Sequence, residues 1–209
     1  MIEQQFRVFG SHVPQDMGSP LHAAICQAVP SLHGRRGLQI SPINGTWDGD
    51  RVLLTPNSVL RLRGLESGEA LQLNGKVLLV GGAQIVLCEH RTQDTRPSRR
   101  LASRVVIYKD KRTDPVNPVN ADPAQQDGFM TYLGRQLHRL GVDTSQVDLQ
   151  LGRRRAVSIH GKKLLGFSVS LGGLTGTEQE TLMASGLGTL HSFGCGVLSP
   201  YDNDHPGAR

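Results

Sequence analysis

Apolar and polar positions alternate over residues 4–10. The triplet Gly18-Ser19-Pro20 then breaks the pattern ahead of apolar positions at helical spacing over 21–29. A period of two puts successive side chains on opposite faces of a strand, whereas a period near 3.6 marks a helix with one buried stripe. Ser19 before Pro20 reads as an N-cap and a first helical residue. Extended pieces follow at 38–43, 52–54 and 59–62, then one or two helical turns at 66–71. A hairpin is expected over 76–88, with VLLV and QIVL joined across Gly81-Gly82. The order is β-α-β-β-α-β.

After a polar stretch over 89–100 the same order returns. Residues 103–108 are strongly β-forming, and a loop rich in Pro, Asn and Asp over 111–127 leads to a helix over 128–140 that Gly141 closes. Residues 147–151 and 157–159 read as two strands separated by Gly152 and Arg153-Arg154-Arg155, and 160–163 turns into a strand over 164–171. Thr177 with Glu180 has capping-box spacing for a helix ending near Ser185, and a glycine-rich loop leads to a last strand over 196–199. The expected fold class is therefore α+β, with two tandem ferredoxin-like (RRM-like) β-α-β-β-α-β domains. Residues 1–92 form the first, and 93–209, with a basic hairpin and the glycine-rich loop, form the second.

Composition narrows the chemistry. The chain has 209 residues, enough to bury a core without covalent staples. Cys26, Cys88 and Cys195 are odd in number, widely spaced and free of any CxxC pairing, which points away from a disulfide framework and from a zinc site. The N-terminal MIEQQFRVFG has no apolar core flanked by basic residues, and no stretch approaches a membrane span. A soluble cytoplasmic protein with no membrane partner is expected. The net charge of +5 makes nucleic acid a plausible partner without establishing one.

The placement of the cations says more than their number. Between Arg91 and Arg112 eight Lys or Arg face only two acids, and a second run holds Arg153, Arg154, Arg155, His160, Lys162 and Lys163 with no acid among them. On a hairpin such a run suits the phosphates of an RNA stem, whose deep major groove hides its base edges. The competing reading of either run alone is a solvated charged loop. Residues 186–196 carry Gly186, Gly188, Gly194 and Gly196, enough backbone freedom to approach a phosphate or a base closely. A dinucleotide fingerprint would precede a helix, whereas this loop follows one, and no GxxxxGK[ST] is present.

The loop reads G-x-G-x-x-x-x-F-G-x-G followed by two hydrophobic residues, Val197 and Leu198. In a basic, duplicated chain it resembles the signature loop of the CRISPR repeat-processing endoribonucleases, within the repeat-associated mysterious protein superfamily. Three further features agree in order: Leu32-His33-Gly34-Arg35-Arg36-Gly37 after the first helix, Ser103-Arg104-Val105 opening the second domain, and the hairpin containing Gly161-Lys162-Lys163. The resemblance is closest to short members from less common systems, type IV included.

That resemblance implies a metal-independent endoribonuclease that binds the CRISPR repeat hairpin as its RNA partner. It would cut precursor CRISPR RNA by 2′-hydroxyl attack, leave a 2′,3′-cyclic phosphate, and keep the product as a subunit among other effector proteins. No cofactor or metal is expected. A base, an acid and help for the crowded phosphate charge are required, and histidine suits the first two because it titrates near neutral pH.

His33 stands where the family pattern has its catalytic histidine, with Arg35 and Arg36 placed to steady the phosphate; His22 is the alternative. His191 and Ser192, with Gly186, Gly188, Gly194 and Gly196, would contact RNA alongside the hairpin cations. His12, His90, His138 and His205 read as surface residues. Two departures bear on the mechanism: no tyrosine lies in the helix before His33, and arginine stands where lysine often follows it, so a Tyr-His-Lys triad does not carry over. The same binding features would serve a non-catalytic RNA-binding subunit. An aromatic-stacking RNA module is disfavoured, because only nine residues are Phe, Tyr or Trp.

Overall fold

Strand β1 (Ile2–Gly10) turns Phe6 and Val8 into the core and becomes the middle of a five-stranded antiparallel sheet. The elements that follow are β2 (His12–Pro14), α1 (Gly18–Ala28), a 3-10 turn Pro30–Leu32, β3 (Gln39–Ile40), β4 (Thr46–Asp48) and β5 (Arg51–Leu53). After them come β6 (Val59–Arg63), α2 (Ser67–Leu73), β7 (Val77–Val80) and β8 (Ala83–Asp94). The sheet order is β3-β6-β1-β8-β7, while β2, β5 and β4 form a separate three-stranded sheet. Leu21, Ile25, Leu60, Leu62, Ile85 and Leu87 are fully buried with Phe6 in one apolar cluster. The β7–β8 hairpin closes across Gly81 and Gly82, both at positive φ, as a two-residue turn matched to strand twist requires.

The later elements are β9 (Arg100–Ile107), α3 (Pro123–Arg139), β10 (Asp148–Ile159), β11 (Lys162–Gly172), α4 (Gly176–Ser185), a 3-10 turn His191–Phe193 and β12 (Ser199–Pro200). They build a four-stranded sheet in the order β10-β11-β9-β12. Taking the strands of each repeat in turn, this is second-third-first-fourth, as in β3-β6-β1-β8. The chain is a duplicated ferredoxin-like fold of α+β class. Phe129 of α3 packs on Phe167 of β11 with ring centroids 5.0 Å apart, in a core with Leu101, Leu133, Leu137, Leu171 and Leu182.

The computed structural model describes residues 1–95, 98–107 and 123–201. They fall into two compact units. The first is Met1–Asp94 together with two short later segments, Val157–Lys163 and His191–Gly194; the second is the remainder of the chain. The loop expected over 111–127 lies outside the described residues as far as 122, as do Tyr108, His205 and the basic residues Arg96, Lys109, Lys111 and Arg112. Among the described residues no helix is long and apolar enough to cross a membrane.

Three local expectations are corrected. Helix α1 starts at Gly18 with Met17 as its cap, not at Ser19, because proline is tolerated throughout a first turn whose amides need no helical acceptor. Helix α4 uses the earlier of two overlapping T-x-x-E motifs: Thr175 accepts from the Glu178 amide, and Glu178 also accepts from the Asp143 amide at 2.9 Å, which anchors this start. Strand β10 runs unbroken through Gly152 and the three arginines. A Cβ on Gly152 would sit 2.3 Å from the Ser168 hydroxyl on β11, so the glycine permits close pairing of the two strands instead of ending one.

Candidate active site

The start of α1 is shaped by what lies against it. A Cβ on Gly18 would fall 2.3 Å from the Phe193 carbonyl oxygen, so only glycine lets the 191–193 turn pack on this helix. One turn further along, His22 and Cys26 share a face at i, i+4 spacing, with His22 Nε2 3.5 Å from Cys26 Sγ. The helix ends at Ala28, and the 3-10 turn that follows places His33, whose amide donates to the Pro30 carbonyl at 3.1 Å. His33 is exposed, and its ring centroid lies 6.5 Å from that of His22.

Two segments remote in sequence complete the cluster. The β10–β11 hairpin turns through His160 and Gly161, at φ 51° and 75°, the left-handed pair that a tight two-residue turn demands. Its tip is tied down where the Ser158 amide donates to Asp16 Oδ2 at 2.5 Å. The glycine-rich loop supplies Phe193, whose ring lies 4.5 Å from His22 and meets His160 edge-on at 5.2 Å. His33, His22, Phe193 and His160 therefore form a row drawn from three separate stretches of chain. Burial pulls the His22 imidazole below its ordinary pKa, and the neighbouring His33 and His160 add to the effect. His22 is thus mostly neutral at pH 7. Burial raises the Cys26 thiol, which stays protonated.

The cations expected beside His33 divide. Arg36 is exposed, but Arg35 is drawn away: its guanidinium hydrogen-bonds Glu69 through Nη1 and pairs with Glu66 at 3.3 Å. Burial opposes charge on Glu69, yet hydrogen bonds from the Glu66 amide, Ser31 and Arg35 outweigh it and hold the carboxyl below its usual range. Arg35 therefore clamps the 3-10 turn to α2, a role the sequence run of basic residues does not reveal. Among the described residues no three His, Cys, Asp or Glu side chains converge as a metal site would require.

The RNA-binding candidates separate as well. His160, Lys162 and Lys163 are exposed at the hairpin tip and belong to the first unit, as do His191, Ser192 and Gly194. Arg153, Arg154 and Arg155 belong to the second unit. In a continuous strand they cannot share one face, so Arg153 and Arg155 point opposite to Arg154. The Arg155 Nε is buried without a hydrogen-bond partner among the described residues. The loop glycines correct the picture of a phosphate cradle. Gly186, Gly188, Gly194 and Gly196 all have positive φ, but Gly186, Gly194 and Gly196 are buried. Their amides and that of Gly188 donate to Leu182, His191, Val105 and the Gln136 side chain within the protein. These glycines serve packing and turning. The side chain in this cluster that sequence reasoning passed over is Phe193, although it stands in the quoted motif.

Comparison with known proteins identifies the family. The family model described as Cas6 Crispr matches residues 2–203. The CRISPR-associated endonuclease Cas6 of Myxococcus xanthus (strain DK1622) is 28% identical over 201 residues, covering 95% of this chain and 81% of that protein. Two solved structures share the fold at low identity. A Cas6-related protein of Pyrococcus furiosus superposes with a TM-score of 0.66 at 9% identity, covering 97% of this chain and 99% of that one. A RAMP protein binding different RNA substrates gives 0.67 at 10%, covering 97% and 100%. The family model spans the chain nearly end to end, and the resemblance read in the glycine-rich loop is borne out: the chain belongs to the Cas6 family of CRISPR repeat-processing proteins.

Proposed function

We propose that this protein binds the hairpin of a CRISPR repeat RNA and cleaves the precursor transcript by attack of a 2′-hydroxyl on the adjacent phosphate, without a metal ion. One observation carries the reading: His22, His33, His160 and Phe193 converge in the first unit from the first helix, the hairpin tip and the glycine-rich loop. The 28% identical relative, itself an endonuclease, supports it. His33, exposed at the end of α1, is the group we assign to proton transfer at the reacting phosphate. Arg36 is the cation nearest it in sequence without a carboxylate partner among the described residues. Lys162 and Lys163 grip the stem, and tight binding of the cut hairpin keeps the product on the protein for assembly with other effector subunits.

The reaction defines its own test. The full-length protein should cut the repeat RNA of its own locus in EDTA, yield a 2′,3′-cyclic phosphate, and leave intact a repeat carrying a single 2′-deoxynucleotide at the scissile position. Cleavage of the deoxy substrate, or loss of cutting in EDTA, rules the mechanism out. Binding without cutting by the wild type would favour a non-catalytic RNA-binding subunit.

The grip is tested separately. Replacing Lys162 and Lys163 together with alanine should reduce the slope of log affinity against log salt by about two, roughly one for each phosphate that is no longer neutralised. A slope equal to that of the wild type would remove the hairpin tip from the RNA interface.

A further inference from the structure

Asp16 stands two residues before the first residue of helix α1, next to the capping residue Met17. A carboxylate at the start of a helix ordinarily meets its free amides or the positive end of its dipole. Here helix α1 has no side-chain cap and no acidic residue in its first turn. Asp16 instead turns its Oδ2 to the Ser158 amide, 142 residues further along the chain, at 2.5 Å. That amide has a reason to need it. Strand β10 is the terminal strand of its sheet, so every second amide along it points away from β11 and finds no partner in the ladder. Ser158 lies two residues before His160 of the hairpin tip, and its amide is one of these.

Both sides of the bond are preset. The Gln15 amide donates to the Asp50 carbonyl at 2.8 Å, and Met17 is buried with its sulfur accepting from the Ile43 amide at 3.3 Å, so Asp16 sits between two fixed neighbours. On the hairpin, the left-handed pair His160 and Gly161 sets the turn, and Ile159 beside Ser158 is only 5% exposed. Burial of Ile159 seats the tip but does little to orient it, because the hydrophobic effect is not directional. A hydrogen bond to a single amide fixes register and angle. Beyond it the tip offers His160, Lys162 and Lys163 to solvent.

We propose that Asp16 is a positioning residue for RNA binding: its carboxylate latches the hairpin tip, so that His160, Lys162 and Lys163 are already in place when the phosphates of a repeat stem arrive. The proposal rests on the RNA-binding reading above and adds to it a residue that itself touches no RNA. Without the latch the tip would sample many positions, and the apparent affinity would fall with the fraction in which the cations are aligned. The sign of this effect is opposite to that of the charge. A carboxylate beside a cationic surface repels phosphate, so by electrostatics alone its removal strengthens RNA binding. The latch requires that removal weaken it.

The test measures the affinity of the full-length protein for the repeat hairpin RNA of its own locus across a series of salt concentrations. Asp16→Ala should bind about tenfold more weakly at every concentration, with the slope of log affinity against log salt equal to that of the wild type, since the same phosphates are contacted in the end. Asp16→Asn keeps an oxygen that can accept from the Ser158 amide and should recover most of the loss. Ser158→Pro removes the donor instead; edge strands accept proline where the amide points outward, so no ladder bond is lost. It should weaken binding as Asp16→Ala does, and the two together should do no more than either alone. Amide exchange in the free protein reads the latch directly: Ser158 should be protected in the wild type and in Asp16→Asn and open in Asp16→Ala, while the amides of β1 and β8 stay protected in all three. Affinity of Asp16→Ala equal to or above that of the wild type, Asp16→Asn no better than alanine, or additive losses in the double variant overturns the latch while the RNA-binding reading stands. A wild type that fails to bind the repeat sinks both.

Discussion

Replacing His33 with alanine should slow single-turnover cleavage of the repeat by about 10²- to 10⁴-fold while leaving hairpin affinity within a few-fold of wild type. The reasoning is local. His33 lies on the short segment between the 3-10 turn and β3, is exposed, and has its ring 6.5 Å from that of His22, so truncation removes an imidazole without emptying a core position. Its backbone is held independently of its ring, by its amide on Pro30 and by the neighbouring Arg35 on Glu66 and Glu69. Affinity and cutting should therefore separate. Measuring both on the same RNA decides the matter: equal loss of binding and cleavage would make His33 a contact residue, and full activity would remove it from the chemistry.

The largest effect on stability should come from Glu3→Ala. Glu3 and Arg63 are side chains only 5% and 3% exposed, and the Arg63 Nε donates to Glu3 Oε2 at 2.9 Å with Nη2 at the same distance. Gln39 Oε1 accepts from Nη1 at 3.4 Å, the Gln5 amide donates to the other Glu3 oxygen at 2.9 Å, and Arg61 stands 3.6 Å from that oxygen. Removing the carboxylate leaves a buried guanidinium uncompensated, which costs about 3–5 kcal/mol. Replacing both partners with apolar residues of similar volume, Glu3→Leu with Arg63→Met, should cost far less, since the attraction of a buried pair barely exceeds the desolvation of its members. Denaturant midpoints of the two variants check this. If the single variant were as stable as the double, burial of the pair would not be the reason for its presence.

Much of the architecture was readable because it follows from short-range rules. Strand-like patterning marked β1, β6 and β11, the Gly81-Gly82 pair marked a two-residue hairpin, and Gly141 at φ 77° closes α3 with the Val142 amide on the Leu137 carbonyl, as helix-terminating glycines do. The errors came from positions where two local signals compete. At Thr175 and Thr177 the same capping pattern occurs twice, and only the reach of Glu178 to Asp143 selects the first. At Gly152 the rule that glycine breaks strands yields to the close approach of Ser168 on the partner strand.

The site was legible in part. His33 and His22 could be nominated from their place after and within the first helix, and the loop motif pointed to the family, because residue type and spacing survive in one dimension. What sequence could not supply was company. Nothing in the run Arg35-Arg36 says that Glu66 and Glu69, some thirty residues on, claim the first arginine and not the second. Nor does any spacing say that His160 and Phe193 come to rest beside His22.

Sequence alone therefore determined the duplicated fold, the family and the kinds of side chain available for proton transfer, since these depend on periodicity, turn chemistry and motif. Tertiary structure decided which of those side chains meet, which cations are already neutralised, and that the loop glycines pack instead of exposing their amides. The physical reason is range: backbone preferences act over a few residues, whereas burial, ion pairing and ring stacking act only between groups that folding has brought within a few ångströms.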